Sequence, residues 1–470
     1  MKTLPFLLLP VLCGGCLLGP DFERPDASPY VPESFRTDGD SAAGEPSGPA
    51  QAPVPASEEE WWSAWNDPLL LSLLERGSST NLTLLQAEAR LRQSRATLDA
   101  ARASFLPSLG LSGSASRSKT FDPDASRSSY RAGADAAWEI DLFGRNRRTA
   151  EAAAADLEAS GLSVDDARLS LRAEIASDYV ALRLAQESLD VARSNLVAEL
   201  ESAAIARAKG ESGFSSGADV AASEAAIATA RAALPAREAA VSAAARALEQ
   251  LLALPPFALE EELAAPGPIP VAPPPPDVAP AELLARRPDV RRAEASLHAA
   301  TARVGAARAA RYPSVNLAAG AALSAESLSD WSSALKSLSF GPSVSIPLFQ
   351  GGALAAAEER AAAAADEALL AYHDAVLSAV HEAQRDWTEL AAERARAEDL
   401  AEAVRADEEA HEAALALYRA GKGDYTTVLV RRTALLSARL ALAQHRASLA
   451  DLTVSLFRAL GGAPGEDEAP

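Results

Sequence analysis

The five histidines, His298, His373, His381, His411 and His445, are the side chains best suited to bind a metal or move a proton near neutral pH. None lies three or four residues from another, and no His-Glu-x-x-His occurs, so no histidine pair shares a helix face as a zinc site requires. The sequence contains no phosphate-binding Gly-x-x-x-x-Gly-Lys-Ser/Thr loop. Its many carboxylates alternate with arginines at helical spacing, the pattern of solvated ion pairs. The expectation is a protein that is not an enzyme and holds no cofactor or metal.

The one clear chemical handle is a cysteine. Both cysteines fall in the first sixteen residues, where Met1-Lys2-Thr3 and the apolar run from Leu4 to Leu12 lead into Cys13-Gly14-Gly15-Cys16. An apolar run of about nine residues is too short to cross a bilayer and reads as an export signal over residues 1–15. The small residues before Cys16 resemble a lipobox, which implies that Cys16 is cleaved, acylated on sulfur and made the first residue of the mature chain. The plainer alternative is an ordinary signal peptide with incidental cysteines. No cysteine follows Cys16, which excludes a disulfide framework.

Stepping outward, the elements come in two matched sets. The 470 residues carry a net charge of −21, which argues against nucleic acid as a partner. Hydrophobic residues make up 48% and aromatics only 5%, a balance that favours close-packed alanine-rich helices. Proline clusters mark an extended arm over 16–67 and a linker over 255–280. On either side of the linker the same plan recurs, since Pro107 and Leu142-Phe143 return 206 residues later as Pro313 and Leu348-Phe349. Repeats over 68–254 and 281–461 are predicted, each a helix, two strands, a very long helix, a Gly-containing turn and a helix, followed by a tail over 462–470.

Arg145 to Lys209 lacks proline and predicts one helix of roughly 100 Å. Leu354 to Ala420 lacks both proline and glycine and predicts a second. Helices of this length must pack side by side. Four segments alternate with period two: 108–116, 130–142, 314–324 and 338–348. Each has one oily and one wet face and is long enough to cross an outer membrane as a tilted strand. Hairpins half buried on a soluble core are the alternative. The segments 117–129 and 325–337 are expected to be exposed loops. Because four strands cannot close a barrel and open edges are not tolerated in lipid, a trimer with a shared 12-stranded β-barrel is expected.

Several motifs then carry a family resemblance. Cys16-Leu17-Leu18-Gly19-Pro20-Asp21-Phe22, Trp61-Trp62-Ser63-Ala64-Trp65, Asp141-Leu142-Phe143-Gly144-Arg145, Arg287-Pro288-Asp289-Val290-Arg291 and Pro347-Leu348-Phe349-Gln350-Gly351-Gly352 follow one another along the chain. Together they resemble the TolC-like outer-membrane efflux proteins, in the lipoprotein branch that includes OprM and NodT. The resemblance implies a mainly α-helical homotrimeric duct with a membrane β-barrel, anchored in outer-membrane lipid at Cys16. It also implies two partners, a periplasmic adaptor and an inner-membrane transporter of the resistance-nodulation-division type. A duct for ATP-driven protein secretion and a coiled-coil envelope lipoprotein are the rival functions.

The narrow end of such a duct is expected at the helix turns near 210–219 and 418–427. Where the family carries a gating Asp after the second turn, this chain has Val430, and Thr426 replaces a Leu. Asp219, Tyr418, Asp424, Tyr425 and Arg431 are therefore the remaining candidates for closure or adaptor contact, each against a plain turn role. Asp141 and Asp289 are expected to cap helix starts. Trp138, Phe143, Arg145 and Phe349 are expected at the membrane interface, with Arg147 and Arg148 either beside them or on a solvated helix face.

Overall fold

The computed structural model describes residues 17–35, 57–212, 216–274 and 280–462; Cys16 and the signal segment lie outside them. In chain order the elements are α1 (Glu58–Ser63), α2 (Pro68–Thr80), α3 (Leu82–Ala103), β1 (Ser108–Phe121), β2 (Asp124–Ile140), α4 (Arg145–Glu211) and α5 (Gly217–Leu251). They continue with α6 (Glu260–Leu263), α7 (Pro280–Arg286), α8 (Pro288–Ala309), β3 (Ser314–Ala325), β4 (Leu335–Ser345), α9 (Ala353–Ala395), α10 (Ala397–Arg419) and α11 (Tyr425–Ala459). The repeat is visible in this order: helix, hairpin, long helix, turn, helix, twice.

The chain divides into two compact units. The first comprises the described parts of Met1–Asp26, Glu88–Ser163 and Arg291–Ala375 and contains all four strands. They form one antiparallel sheet in the order β1-β2-β3-β4, whose two edges, β1 and β4, have no further partner strand among the described residues. Both hairpins are longer than the sequence pattern predicts. β1 and β2 pair without a break from Ser108↔Ala137 to Phe121↔Asp124, so the expected loop at 117–129 is strand except for the turn at Asp122 and Pro123. The expected loop at 325–337 shrinks to a 3₁₀ turn at Leu328–Ser333, and β4 begins at Leu335 and ends at Ser345 rather than Leu348.

The second unit comprises the described parts of Ala27–Ala87, Val164–Val290 and Val376–Pro470. Here the aromatic motif of the arm forms α1, with Trp61 stacked on Phe457 at 3.7 Å and Trp62 and Trp65 buried beside it. Ser57 caps α1 by accepting the Glu60 N–H, and Asp67 caps α2 by accepting from Leu69 and Leu70. The proline linker is also anchored, because the Glu249 carboxylate accepts the backbone N–H groups of Phe257 and Leu259, and Leu259, Leu263 and Ile269 are buried. The predicted helix over 354–420 is two helices, interrupted at Arg396, whose N–H bonds the Glu393 carbonyl three residues back in a tightened turn.

Candidate functional site

The sheet sorts its residues by face. Pairing aligns Leu109 with Ala136, Leu111 with Ala134, Ala134 with Ala321 and Ala321 with Leu338, so the oily positions of all four strands share one surface. That surface also takes Tyr130, Trp138, Leu317, Phe340 and Val344. It is bare: Leu111 is 87% exposed, Leu338 85% and Phe340 73%. In water such an apolar patch is strongly unfavourable, whereas in hydrocarbon it is the expected outer wall of a barrel. The opposite face carries Ser112, Ser114, Arg131, Asp135, Glu139, Asn316, Ser339 and Ser343. Ser112 donates to Asp135 at 3.3 Å there, and Arg127 pairs with Glu326.

Within the second unit, α4 with α5 and α10 with α11 meet at the two predicted turns, and caps dominate them. Ser216 and Asp219 form a reciprocal capping box at the start of α5 (3.2 and 3.1 Å), and Asp424 caps α11 by accepting the Thr427 N–H at 2.7 Å. Tyr418 and Tyr425 are packed together at 5.3 Å between ring centroids, within a cluster containing Ala414 and Val428. Tyr425 is only 1% exposed. Their apolar rings therefore serve the core of the hairpin instead of its surface. Lys209 donates to the Tyr418 carbonyl at the end of α10 and lies over the Tyr418 ring at 4.0 Å, a cation at a helix C-terminus.

One turn further along α11 the sequence reads Val430-Arg431-Arg432, and the three side chains part company. Val430 is 59% exposed, and Arg431 is exposed with no carboxylate partner among the described residues. Arg432 is buried, pairing with Glu199 of α4 at 3.3 Å and donating to Ser202 at 3.2 Å. Burial, and then the Glu199 charge, push the Tyr425 hydroxyl up to about 12, against the pull of Arg432. His411 of α10 is shifted the other way, below its ordinary value, by burial and by the charges of Arg432 and Arg439.

A model of outer membrane efflux proteins matches residues 73–254 and 279–462, which are the two repeats. The chain belongs to the outer membrane efflux protein family. It is 29% identical to nodulation protein T of Rhizobium leguminosarum bv. trifolii, across 98% of this chain and 96% of that one. It is 30% identical to the toluene efflux pump outer membrane protein TtgI of Pseudomonas putida, across 98% of both. The solved outer-membrane channel OprN superposes with a TM-score of 0.85 at 32% identity, covering 95% of this chain and 99% of that one.

The remaining motifs of this efflux protein acquire definite roles. Asp141 accepts the Arg147 N–H at 3.0 Å and caps α4 as expected. Asp289 accepts the first-turn Val290 N–H of α8 at 2.9 Å, as expected, and also holds Arg287 (2.7 Å), which reaches Glu382 and the Ala459 carbonyl as well. Burial opposes the Arg287 charge, yet the two carboxylates outweigh it and keep the guanidinium above its ordinary range. Arg148 departs from the expectation of an interfacial or solvated arginine. It is buried and donates to the Leu18 carbonyl (3.2 Å), Asp21 (2.6 Å) and Glu151 (2.9 Å). The strap it holds crosses α8 where Gly19, at φ +96°, meets Gly305; a Cβ on Gly19 would lie 2.3 Å from the Gly305 Cα. Trp138 donates to the Phe105 carbonyl, Arg145 pairs with Glu139, Phe143 packs on Tyr312 at 5.0 Å, and Phe349 stands 90% exposed.

The Arg432–Glu199 pair and the Arg148 network are absent from the sequence reading. Their partners lie 233 and 127 residues away, and no local periodicity links such residues.

Proposed function

We propose that this chain is the passive exit duct of a tripartite efflux pump. Three copies share a 12-stranded barrel in the outer membrane, and their long helices continue the conduit into the periplasm. The observation that carries the reading is the bare apolar outer face on a sheet whose two edges are open. Unpaired edge groups are not tolerated in lipid, and joining β4 of one copy to β1 of the next removes both edges at once. The partners inferred from the family are a periplasmic adaptor and a resistance-nodulation-division transporter, the latter selecting the cargo. Acylation of Cys16 anchors the chain beside the strap that Arg148 holds. Purified protein should form particles of three chains and give discrete conductance steps in planar bilayers; a monomer without conductance would refute the duct. Mass spectrometry of the mature N-terminus should find a diacylated Cys16, and cleavage at another site with a free thiol would refute the anchor.

A further inference from the structure

The outer face of the sheet does not end in neutral residues. Ile140 and Tyr130 lie ten residues apart on β2, roughly 33 Å of strand, which a tilt of roughly 40° reduces to about 25 Å of height. That is the height of the apolar band of a membrane barrel, so Tyr130 marks its margin away from the helices. Just beyond, on the same face, β1 carries Arg117 opposite Ser128 and Lys119 opposite Ser126. On the other edge strand, Lys336 stands opposite Leu323, near the far end of β4. All three are exposed. Arg117 donates through Nε to the Ser126 hydroxyl at 3.2 Å, while Lys119 pairs with Asp124 at 3.3 Å, both groups being more than half exposed. Lys336 has no ion pair among the described residues. On the opposite face the arginine at this level, Arg127, is already paired with Glu326.

We propose that Arg117, Lys119 and Lys336 form a binding site for the phosphate groups of the phosphorylated glycolipid in the outer leaflet, with its acyl chains lying on Leu109, Leu111, Leu338 and Phe340. The argument is one of position and charge. On the lipid-facing side, Arg117 and Lys119 lie just beyond the apolar band and Lys336 stands one row inside its margin, in register with Ala132 and Leu323, where an anionic headgroup and its chains meet. The long stems of lysine and arginine let the charge reach phosphate depth while methylenes stay on the oily wall. An exposed pair such as Lys119–Asp124 is weak, so a phosphate can displace it. Since the cations sit on the two edge strands, closing the barrel places the β4 lysine of one copy beside the β1 cations of the next.

The proposal rests on the sheet being the lipid-facing wall of the duct. It is tested by native mass spectrometry of the detergent-extracted assembly titrated with bisphosphorylated lipid A, its dephosphorylated form or phosphatidylglycerol, with single-channel recording of the same preparations. The wild-type assembly should hold lipid A about tenfold more tightly than either of the other lipids. A combined Arg117→Gln, Lys119→Gln and Lys336→Gln variant should lose about that factor while its conductance is unchanged. Arg127→Gln, on the opposite face, should bind lipid A as the wild type does. Undiminished binding by the triple variant overturns the headgroup site and leaves the duct standing. So does equal affinity for dephosphorylated lipid or phosphatidylglycerol, or an equal loss in Arg127→Gln. A wild-type protein that inserts no channel overturns both readings.

Discussion

Arg432 is the residue whose setting departs most from its surface-like sequence context, lying beside exposed Val430 and Arg431 yet held under the helices by Glu199 and Ser202. Removing one member of a buried pair leaves an uncompensated charge, so Glu199→Gln should cost about 3 to 5 kcal/mol in the thermal or urea unfolding of the assembly. Replacing both members together, with Glu199→Leu and Arg432→Met, should be close to neutral. A small effect of Glu199→Gln would mean that water already reaches the arginine. Tyr425 adds a pH dependence. Its folded-state value of about 12 lies above the ordinary tyrosine value of roughly 10. The stability it contributes is therefore fully present below pH of about 10 and is lost as pH rises toward about 12. Tyr425→Phe should flatten the alkaline limb followed by circular dichroism, and an unchanged limb would place the loss elsewhere.

At the scale of elements, the register gives the strands a depth coordinate. Ala134 pairs with Leu111 and Ala321 in the middle of the apolar band, so Ala134→Arg should cost roughly 2 to 4 kcal/mol in a lipid folding assay. Val344 pairs with Val315 in the row nearest the helices, and Val344→Arg should cost only about 0 to 1 kcal/mol. Ser343→Arg, on the polar face, should be tolerated. Equal costs at all three positions would mean that the sheet does not span a bilayer. These strands were legible because Leu, Ala, Trp and Val alternate with Ser, Asp and Glu. Their outer extensions were not, since Ser116, Ser118 and Thr120 alternate with Arg117 and Lys119 and neither face is apolar. The interruption at Arg396 was equally hidden, because no proline or glycine marks it. The amide-accepting roles of Asp141 and Asp289 were legible, as a cap is a local hydrogen bond, whereas Asp219 and Asp424, candidates for closure or adaptor contact against a plain turn role, turn out to cap α5 and α11.

For the assembled duct, the open question is what narrows the periplasmic end when the carboxylate the family resemblance implies is replaced by Val430. Asp219 and Asp424 are committed to helix caps, and Tyr418 and Tyr425 to the hairpin core. Arg432 is committed to Glu199. The groups left to face a neighbouring copy are the exposed Val430 and Arg431, an apolar side chain and an uncompensated cation. Rings of like cations repel, so the resting aperture should be looser than one closed by carboxylate–arginine bonds. Val430→Asp would place a carboxylate next to Arg431, able to make charge-assisted bonds across each subunit boundary worth about 1.5 to 3 kcal/mol apiece. Conductance of the isolated channel in planar bilayers should fall, and raising the salt concentration should partly restore it, because these charges are exposed. Arg431→Ala in the Val430→Asp background should return conductance to the wild-type level. If Val430→Asp leaves conductance unchanged at low salt, the constriction lies away from this turn of α11, and exposure of Val430 and Arg431 serves a contact with another protein.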